Sequence, residues 1–369
     1  MADSAPHALQ ALVDQVRAAA AEGHALRIAG GGTKAFYGEE APAEGPEQPL
    51  DVRGLQGISA YEPSELVVTV RAGTPLAELQ AELARAGQWL HFEPPHYAGG
   101  GTVGGMVAAG LAGPARASAG SVRDYVLGAV MLNGRAELLS FGGQVMKNVA
   151  GYDVSRLLAG SLGVLGVICE VSLKVLPRPV AQCTLRLELD EAQALSSLNA
   201  WGGQPLPLQA SAWWQGTLVL RLAGAEAAVA SAQARIGGEE VEPELAEAFW
   251  TGLRDHTDEY FATASEAVAT GSSRLWRLSV PSTCPPLGLA GSTLVEWGGA
   301  QRWLLTDAAA ESVRTASRSA SGHATVWRGD KGCGAFEALT PPLARIHREL
   351  KQAFDPDRLF NRGRLVRGL

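Results

Sequence analysis

Apolar positions in the first ninety residues switch between helical and extended spacing. Leu9, Leu12, Val13 and Val16 recur at i, i+3, i+4 and i+7, which predicts a helix with one apolar stripe on a core. Ala25-Leu26-Arg27-Ile28-Ala29 predicts a short strand, ended by Gly30-Gly31-Gly32-Thr33-Lys34. Residues 39–49, rich in Pro, Glu and Gly, predict a surface loop. Strands are expected over 57–61 and 66–72. Gly73-Thr74-Pro75 then opens a helix, with Thr74 as its cap, Pro75 in its first turn and Leu76, Leu79 and Leu83 on its buried side. Further on, 121–132 reads as a strand, Asn133-Gly134 as a two-residue hairpin turn into 136–141, 154–158 as a short helix and 164–176 as a long strand. Pro177-Arg178-Pro179 closes this part.

The texture changes after residue 180. Strand patterns recur at 183–189, 208–214, 218–222, 275–280, 293–297, 302–305 and 324–327. Alanine-rich helical stretches fall near 191–199, 224–235, 243–251 and 307–320, so an antiparallel sheet covered by helices is expected. Pro341 and Pro342 open a last helix whose predicted buried face is Leu343, Ile346, Leu350 and Phe354, and Pro356 ends it. The tail that follows reads as a return to a domain already built. The expected division is 1–180, 181–330 and 331–369.

Composition narrows the function classes. In 369 residues, 46% are hydrophobic and 19% charged, enough for a sizeable core and too apolar for a disordered chain. The net charge of -7 and the lack of a basic cluster with interleaved aromatics argue against nucleic acid as a partner. The four cysteines, Cys169, Cys183, Cys284 and Cys333, form no CxxC pair, so no locally spaced zinc or iron–sulfur set is expected and no metal site is assigned. MADSAPHALQ has no basic-then-apolar leader pattern, and a reducing, cytoplasmic compartment is the expectation. The uncharged stretch 94–115 carries seven glycines and three prolines, which makes it a poor spanning helix and a good ligand-contacting loop.

Three glycine segments compete for a phosphate-binding role. Gly30-Gly31-Gly32-Thr33 follows a strand, and consecutive glycines let successive amides converge on an anion, although the lysine spacing is not that of a P-loop and a plain tight turn fits equally. Residues 99–105 formally contain GxGxxG, but Glu93-Pro94-Pro95-His96-Tyr97 is no first Rossmann strand. What remains is a glycine run before a possible helix at 106–111, or close helix–sheet packing. The glycines at 160, 163 and 166 lead into an apolar strand and allow another backbone to pass within contact. Three such segments within 140 residues point to one large planar or diphosphate-containing ligand.

With these residues in view, the chain resembles the vanillyl-alcohol-oxidase-type (PCMH-type) FAD-binding family. Arg27–Thr33 is similar to its first pyrophosphate loop, Gly100–Gly105 to its GGTVGG segment, Ser121-Val122-Arg123-Asp124 to the stretch that follows it, and Gly151-Tyr152-Asp153 and Gly160–Ile168 to its GYD and GSLGVLGVI segments. Phe354-Asp355-Pro356 through Asn361-Arg362-Gly363 resembles the closing FDP…NPG motif, with Arg362 where proline is usual. Residues 144–153 and Gly322-His323-Ala324-Thr325 further resemble the FAD-binding subunits of bacterial glycolate oxidase complexes.

The resemblance implies an α+β fold: a two-lobed PCMH-type FAD-binding domain with a smaller cap of antiparallel sheet and helices. It implies noncovalent FAD, because Gly32 stands where covalent-flavin members carry histidine. The implied cofactor residues are Gly30, Gly31, Gly32, Thr33, Gly101, Thr102, Val103 and Gly104 at the diphosphate, with Ser121 and Asp124 following. Gly160 is a further implied cofactor residue, Gly166 and Ile168 border the adenine side, and Asn361 stands by the isoalloxazine. The implied role is to oxidise glycolate, a 2-hydroxy acid, to glyoxylate within a complex, with a larger flavin subunit and an iron–sulfur subunit as partners and peripheral association with the inner membrane through them. The competing readings are a self-sufficient FAD-dependent 2-hydroxy-acid oxidase and a nonredox nucleotide-binding structural protein.

No catalytic residue is assigned. Oxidation of a 2-hydroxy acid needs a carboxylate clamp and a base held against the flavin. His323 lacks the paired histidine of active relatives, His256 is equally isolated, and Arg328 is a further candidate clamp. Eight tryptophans in 181–330, including Trp213, Trp214 and Trp327, read as core plus partner-facing surface, where they could make interface hot spots, with a substrate-lining tryptophan as the alternative.

Overall fold

A computed structural model describes residues 5–40, 47–143 and 153–368, so the part of the resemblance carried by 144–152 lies outside the described residues. The chain divides into two compact units, one of residues 1–111, 121–177 and 338–369 and the other of 112–120 and 178–337. The short piece 112–120 groups with the second unit.

In the first unit α1 (Ala5–Glu22) buries Leu12, Val13 and Val16, the stripe its spacing predicts. They pack on Leu26 of β1 (Ala25–Ala29) and Leu50 of β2 (Glu47–Asp51), strands that pair in parallel. β2 overlaps the expected loop: of its five residues only Leu50 is buried, so its pattern carries almost no apolar signal. The main sheet has the order β3-β4-β8-β6-β7, from β3 (Ile58–Glu62), β4 (Val67–Arg71), β6 (Val126–Leu132), β7 (Leu138–Gly142) and β8 (Val167–Lys174), while β5 (Gln88–Trp89) pairs with β9 (Leu176–Pro177). Every neighbouring pair in the main sheet is antiparallel.

Helix α2 (Leu76–Arg85) buries Leu76, Leu79 and Leu83, but Pro75 is its cap. Thr74 is instead a buried strut whose hydroxyl accepts from the Gly57 amide at 2.9 Å. Helix α3 (Val103–Ala109) follows the second glycine segment, and α5 (Val122–Tyr125) occupies the start of the stretch expected to be strand. The reason is local: the Asp124 carboxylate accepts from the Ser121 amide at 2.7 Å, and a capping box closes a helical turn before β6 begins. The β6–β7 hairpin forms, but its loop is residues 133–137 and not the two expected, because Asn133 Oδ1 accepts from the amides of Arg135 and Glu137 and spans a wider turn.

Helix α11 (Pro341–Phe354) departs furthest from its sequence pattern. Leu343 and Ile346 are about half exposed, at 48% and 49%, while Lys351 is buried. Asp355 at the helix end supplies the compensating charge, so a buried ion pair rather than the leucine face anchors it.

The second unit is built on one eight-stranded antiparallel sheet of order β13-β10-β12-β11-β15-β16-β14-β17. Its strands are β10 (Ala181–Glu188), β11 (Leu208–Trp214), β12 (Thr217–Gly224), β13 (Glu239–Glu240), β14 (Arg274–Ser279), β15 (Ser292–Glu296), β16 (Gln301–Thr306) and β17 (His323–Arg328). Its helices are α4 (Arg116–Ala119), α6 (Glu191–Gly202), α7 (Glu226–Ile236), α8 (Pro243–Asp255), α9 (Glu259–Ala269) and α10 (Ala310–Ser319). The strand expectations fall on observed strands. The missed helix α9 starts at Asp258, whose carboxylate accepts from the Phe261 amide, and buries Tyr260, Phe261 and Ala264. Trp250, Trp276, Trp303 and Trp327 are buried and the other four tryptophans of this unit half-buried, which places them in or against its core. Among the described residues no helix is long and apolar enough to cross a membrane.

Candidate cofactor site

β1 carries the chain to the first glycine segment. Its last ladder bond runs from the Val52 amide to the Ala29 carbonyl, at 3.0 Å. Beyond it the amides of Gly30, Gly31, Gly32 and Thr33 donate to nothing in the protein among the described residues. Gly32 turns the chain at φ +71°, and the Ala35 amide closes back on the Gly32 carbonyl at 3.0 Å. A Cβ on Gly31 would stand 1.6 Å from the Gly100 carbonyl oxygen, and one on Gly30 would stand 2.5 Å from Thr102 Oγ1. Glycine is therefore required for the two segments to touch, and the contact leaves four consecutive donors unspent. Such a run is an anion cradle.

The second segment has spent its donors. Thr102 caps α3, accepting from the Gly105 amide at 3.2 Å, while the Val103 and Gly104 amides bond to the carbonyls of Thr74 (3.0 Å) and Ala72 (2.7 Å). The Leu76 amide bonds to the Gly101 carbonyl at 2.8 Å. Val103 is fully buried, and its amide and that of Gly104 hold the start of the helix onto the sheet.

A cavity of about 320 Å³ opens beside the first loop. Of the expected residues, it is lined by Gly30, Gly31, Gly32, Thr33, Thr102, Gly104, Gly166, Ile168 and Asn361. Gly101, Val103, Gly160, Ser121 and Asp124 are not part of that lining. Gly160 donates its amide to Val107 and so ties its loop to α3, and Ser121 and Asp124 are committed to their capping box.

The closing motif reaches the cavity through the buried pair. Asp355 accepts from Lys351 Nζ at 2.7 Å and from the amides of Leu359 (2.8 Å) and Phe360 (2.9 Å), and Lys351 also donates to the carbonyls of Val164 and Phe360. Burial lowers the Lys351 pKa against the pull of Asp355. The turn so fixed presents Asn361, at φ +42°. Its Oδ1 accepts from the Ile28 amide at 2.9 Å, its Nδ2 donates to the Leu162 carbonyl at 2.7 Å, and its own amide bonds to Leu26. Asn361 thus clamps β1 to the 160–166 loop, and both ends of its side-chain amide are engaged there.

Three cations at this cavity were missed by the sequence reading: Arg27, Lys34 and Arg364. Arg364 Nη2 donates to the carbonyls of Lys34, Ala35 and Tyr37, at 3.1–3.2 Å, and gathers the end of the first loop. Burial, with Arg27 nearby, lowers its pKa. The signal was the arginine-rich tail after Asn361 and the lysine that ends GGGTK. Among the described residues the lining contains no carboxylate and no histidine or cysteine. Unspent amides, three cations and a glycine cradle fit a diphosphate, and the missing nucleophile fits a ligand held without a covalent bond.

The expected catalytic candidates lie in the second unit. His256 stacks on Phe261 at 3.7 Å, meets Trp303 edge-on and accepts at Nδ1 from Trp327 Nε1 at 3.3 Å. Burial, then Arg328 and Arg277, hold its pKa well below 6.5, so it is a neutral core histidine. His323 begins the edge strand β17, exposed and opposite Ser279.

Residues 3–142 match the family model described as "FAD binding domain". Over 94% of this chain and 74% of the other, the fold is similar to a solved alkyldihydroxyacetonephosphate synthase, with a TM-score of 0.63 at 14% identity. The fold and site together define a PCMH-type FAD-binding protein that holds its FAD noncovalently. The chain is 47% identical to "Glycolate oxidase subunit GlcE" of Escherichia coli (strain K12), across 96% of its own length and 97% of that protein's. It is 31% identical to "Glycolate oxidase subunit GlcD" of Bacillus subtilis (strain 168) across 42% of its length and 33% of that protein's. The chain belongs to the GlcE family.

Proposed function

We propose that this chain is the FAD-holding component of a glycolate-oxidising complex, with a larger flavin subunit and an iron–sulfur subunit as partners. The observation that carries the reading is the run of four unspent amides from Gly30 to Thr33 beside Arg27, Lys34 and Arg364. Bound FAD supplies a two-electron acceptor for the conversion of glycolate to glyoxylate. The chain's own part is to bind: the first loop and its cations meet the diphosphate, and Asn361 with Asp355 and Lys351 keeps β1 and the 160–166 loop together around it.

The chain alone is not a competent dehydrogenase on this reading. His256 is half-buried and stacked among aromatic rings, His323 has no second histidine beside it in sequence, and the four cysteines form no relay motif. The test is anaerobic mixing with glycolate or D-lactate. The isolated FAD-loaded chain keeps its 450 nm band, whereas the assembled complex bleaches. Rapid bleaching of the isolated chain would support the self-sufficient oxidase instead. A folded chain that takes up no FAD would leave the nonredox reading.

A further inference from the structure

The second unit contains a repeat with one part replaced. β10-α6-β11-β12-α7-β13 is a βαββαβ unit whose strands lie in the order 4-1-3-2. β14-β15-β16-α10-β17 repeats it in mirror order, 2-3-1-4, and the two halves join through β11 and β15. The counterpart of α6 is missing. Where that helix would run, residues 280–291 form a helix-free connection, held out of helical geometry by Pro281, Pro285 and Pro286.

This connection arches over the sheet and is pinned at its base. Arg302, 1% exposed, donates to the carbonyls of Gly299, Pro285 and Cys284, and Asn199 Nδ2 of α6 donates to the Ser282 carbonyl at 2.9 Å. Leu287 and Leu289 pack on the core of the second half. A cavity of about 420 Å³ lies beside this connection, with Pro286, Leu287, Gly288 and Leu289 in its wall. That lies within the range of small-molecule sites, about 300–1,000 Å³.

The lining defines the ligand chemistry. Leu278 and Leu304 contribute aliphatic surface. Trp213 and Trp214 contribute carbon surface only, since their indole N–H groups are spent on the Leu189 carbonyl (2.7 Å) and on Ser292 Oγ (3.2 Å). Glu191 is the single carboxylate in the lining, half-buried and without a hydrogen bond among the described residues. Arg302 approaches it only to 4.0 Å, with three of its donors already on carbonyls. Arg302 also lines the cavity, and that long ion pair is the one charge contact of the carboxylate among the described residues, which leaves its oxygens without a hydrogen-bond donor. Set against indole carbon and leucine, they suit a cationic donor on an apolar body.

We propose that the cavity beside residues 280–291 is a binding site for a small organic ammonium ion with a compact apolar body, its charge on Glu191 and its body against Trp213, Trp214 and Leu304. This site is built entirely from the second unit and is independent of the FAD loop.

The test is calorimetric titration of the FAD-loaded full chain at pH 7.5 with phenethylammonium, and with phenylacetate and 2-phenylethanol as probes of the same body. Saturable binding of phenethylammonium at about 1 mM or tighter is expected, with Glu191→Gln and phenylacetate each weakening binding by about tenfold or more. Glu191 is partly exposed at a helix start, so the variant keeps the fold, and its melting curve checks this. No saturable binding of the ammonium probe, equal binding of phenylacetate, or unchanged binding by a folded Glu191→Gln would each overturn the proposal. FAD content stays the same in every arm, which separates this outcome from any failure of the cofactor reading.

Discussion

Gly30–Thr33 and Thr102–Gly105 look alike on paper and both line the cavity, but their backbone donors differ. Both are runs of small residues next to buried strands, and each puts a threonine beside glycine. In the first, four amides in a row have no partner among the described residues. In the second, the amides of Val103, Gly104 and Gly105 are all bonded, to Thr74, Ala72 and the Thr102 hydroxyl. A glycine run therefore marks a close backbone approach, and what decides between ligand and packing is whether its donors remain unspent.

The largest test of this difference is Gly31→Val. The added Cβ falls 1.6 Å from the Gly100 carbonyl oxygen, so the first loop cannot keep its place. FAD affinity is expected to fall at least about 100-fold, or roughly 3 kcal/mol. Parent-like FAD retention after gel filtration would show that the cradle is elsewhere.

Gly104→Val probes the other segment. Its Cβ would meet Ala72 Cβ at 2.7 Å and the Ala72 carbonyl oxygen at 3.0 Å, which is a packing conflict at the helix–sheet contact. Stability is expected to drop by about 1–3 kcal/mol, visible in denaturant midpoints with FAD absent. A stability equal to the parent's, with FAD binding lost, would reverse the roles assigned to the two loops.

His256 extends the comparison from amides to a ring. It is a group with chemical potential that the core has already used, being neutral and stacked on Phe261. Its folded pKa lies well below 6.5, so below that pH the unfolded chain takes up a proton that the folded one refuses, and stability falls as pH drops. For one such proton the slope approaches at most about 1.4 kcal/mol per pH unit. His256→Asn, which tolerates the left-handed backbone at φ +57°, is expected to flatten this acid slope in thermal melts. An unchanged slope would mean that another group sets it.

The smallest effect belongs to Thr102→Ala. It removes the cap on α3 and costs about 1 kcal/mol, and Thr102→Ser restores it. FAD affinity within about threefold of the parent is expected for both, since the hydroxyl is spent on Gly105. A tenfold loss confined to alanine would move that hydroxyl from the cap to the ligand.

Much of the architecture was legible because its elements carry their own periodicity. The strands of the second unit are apolar runs between turns, and α1 and α2 bury the residues their spacing selects. Elements whose signal lies in single contacts were not legible. β2 buries only Leu50, and α5 exists because one aspartate folds back on Ser121. At the site, the glycines of the first loop could be read from the chain, whereas Arg364 could not, because it acts on Lys34, Ala35 and Tyr37 from 327–330 residues away.

By itself the sequence determined the strongly periodic elements, the FAD-binding class and the loop that bears the glycines, since these depend on local spacing and on motifs of a few residues. Tertiary structure alone decided which donors are left over. Among the described residues the amides of 30–33 find no acceptor, where Gly100 and Thr102 press against that loop through space. Lys351 is buried and Leu343 exposed on one helix, because Asp355 and the carbonyls of Val164 and Phe360 surround the lysine while no described element covers the leucine. Burial and hydrogen-bond satisfaction belong to the assembled chain, where residues hundreds of positions apart compete for the same partners, and no local pattern encodes the outcome of that competition.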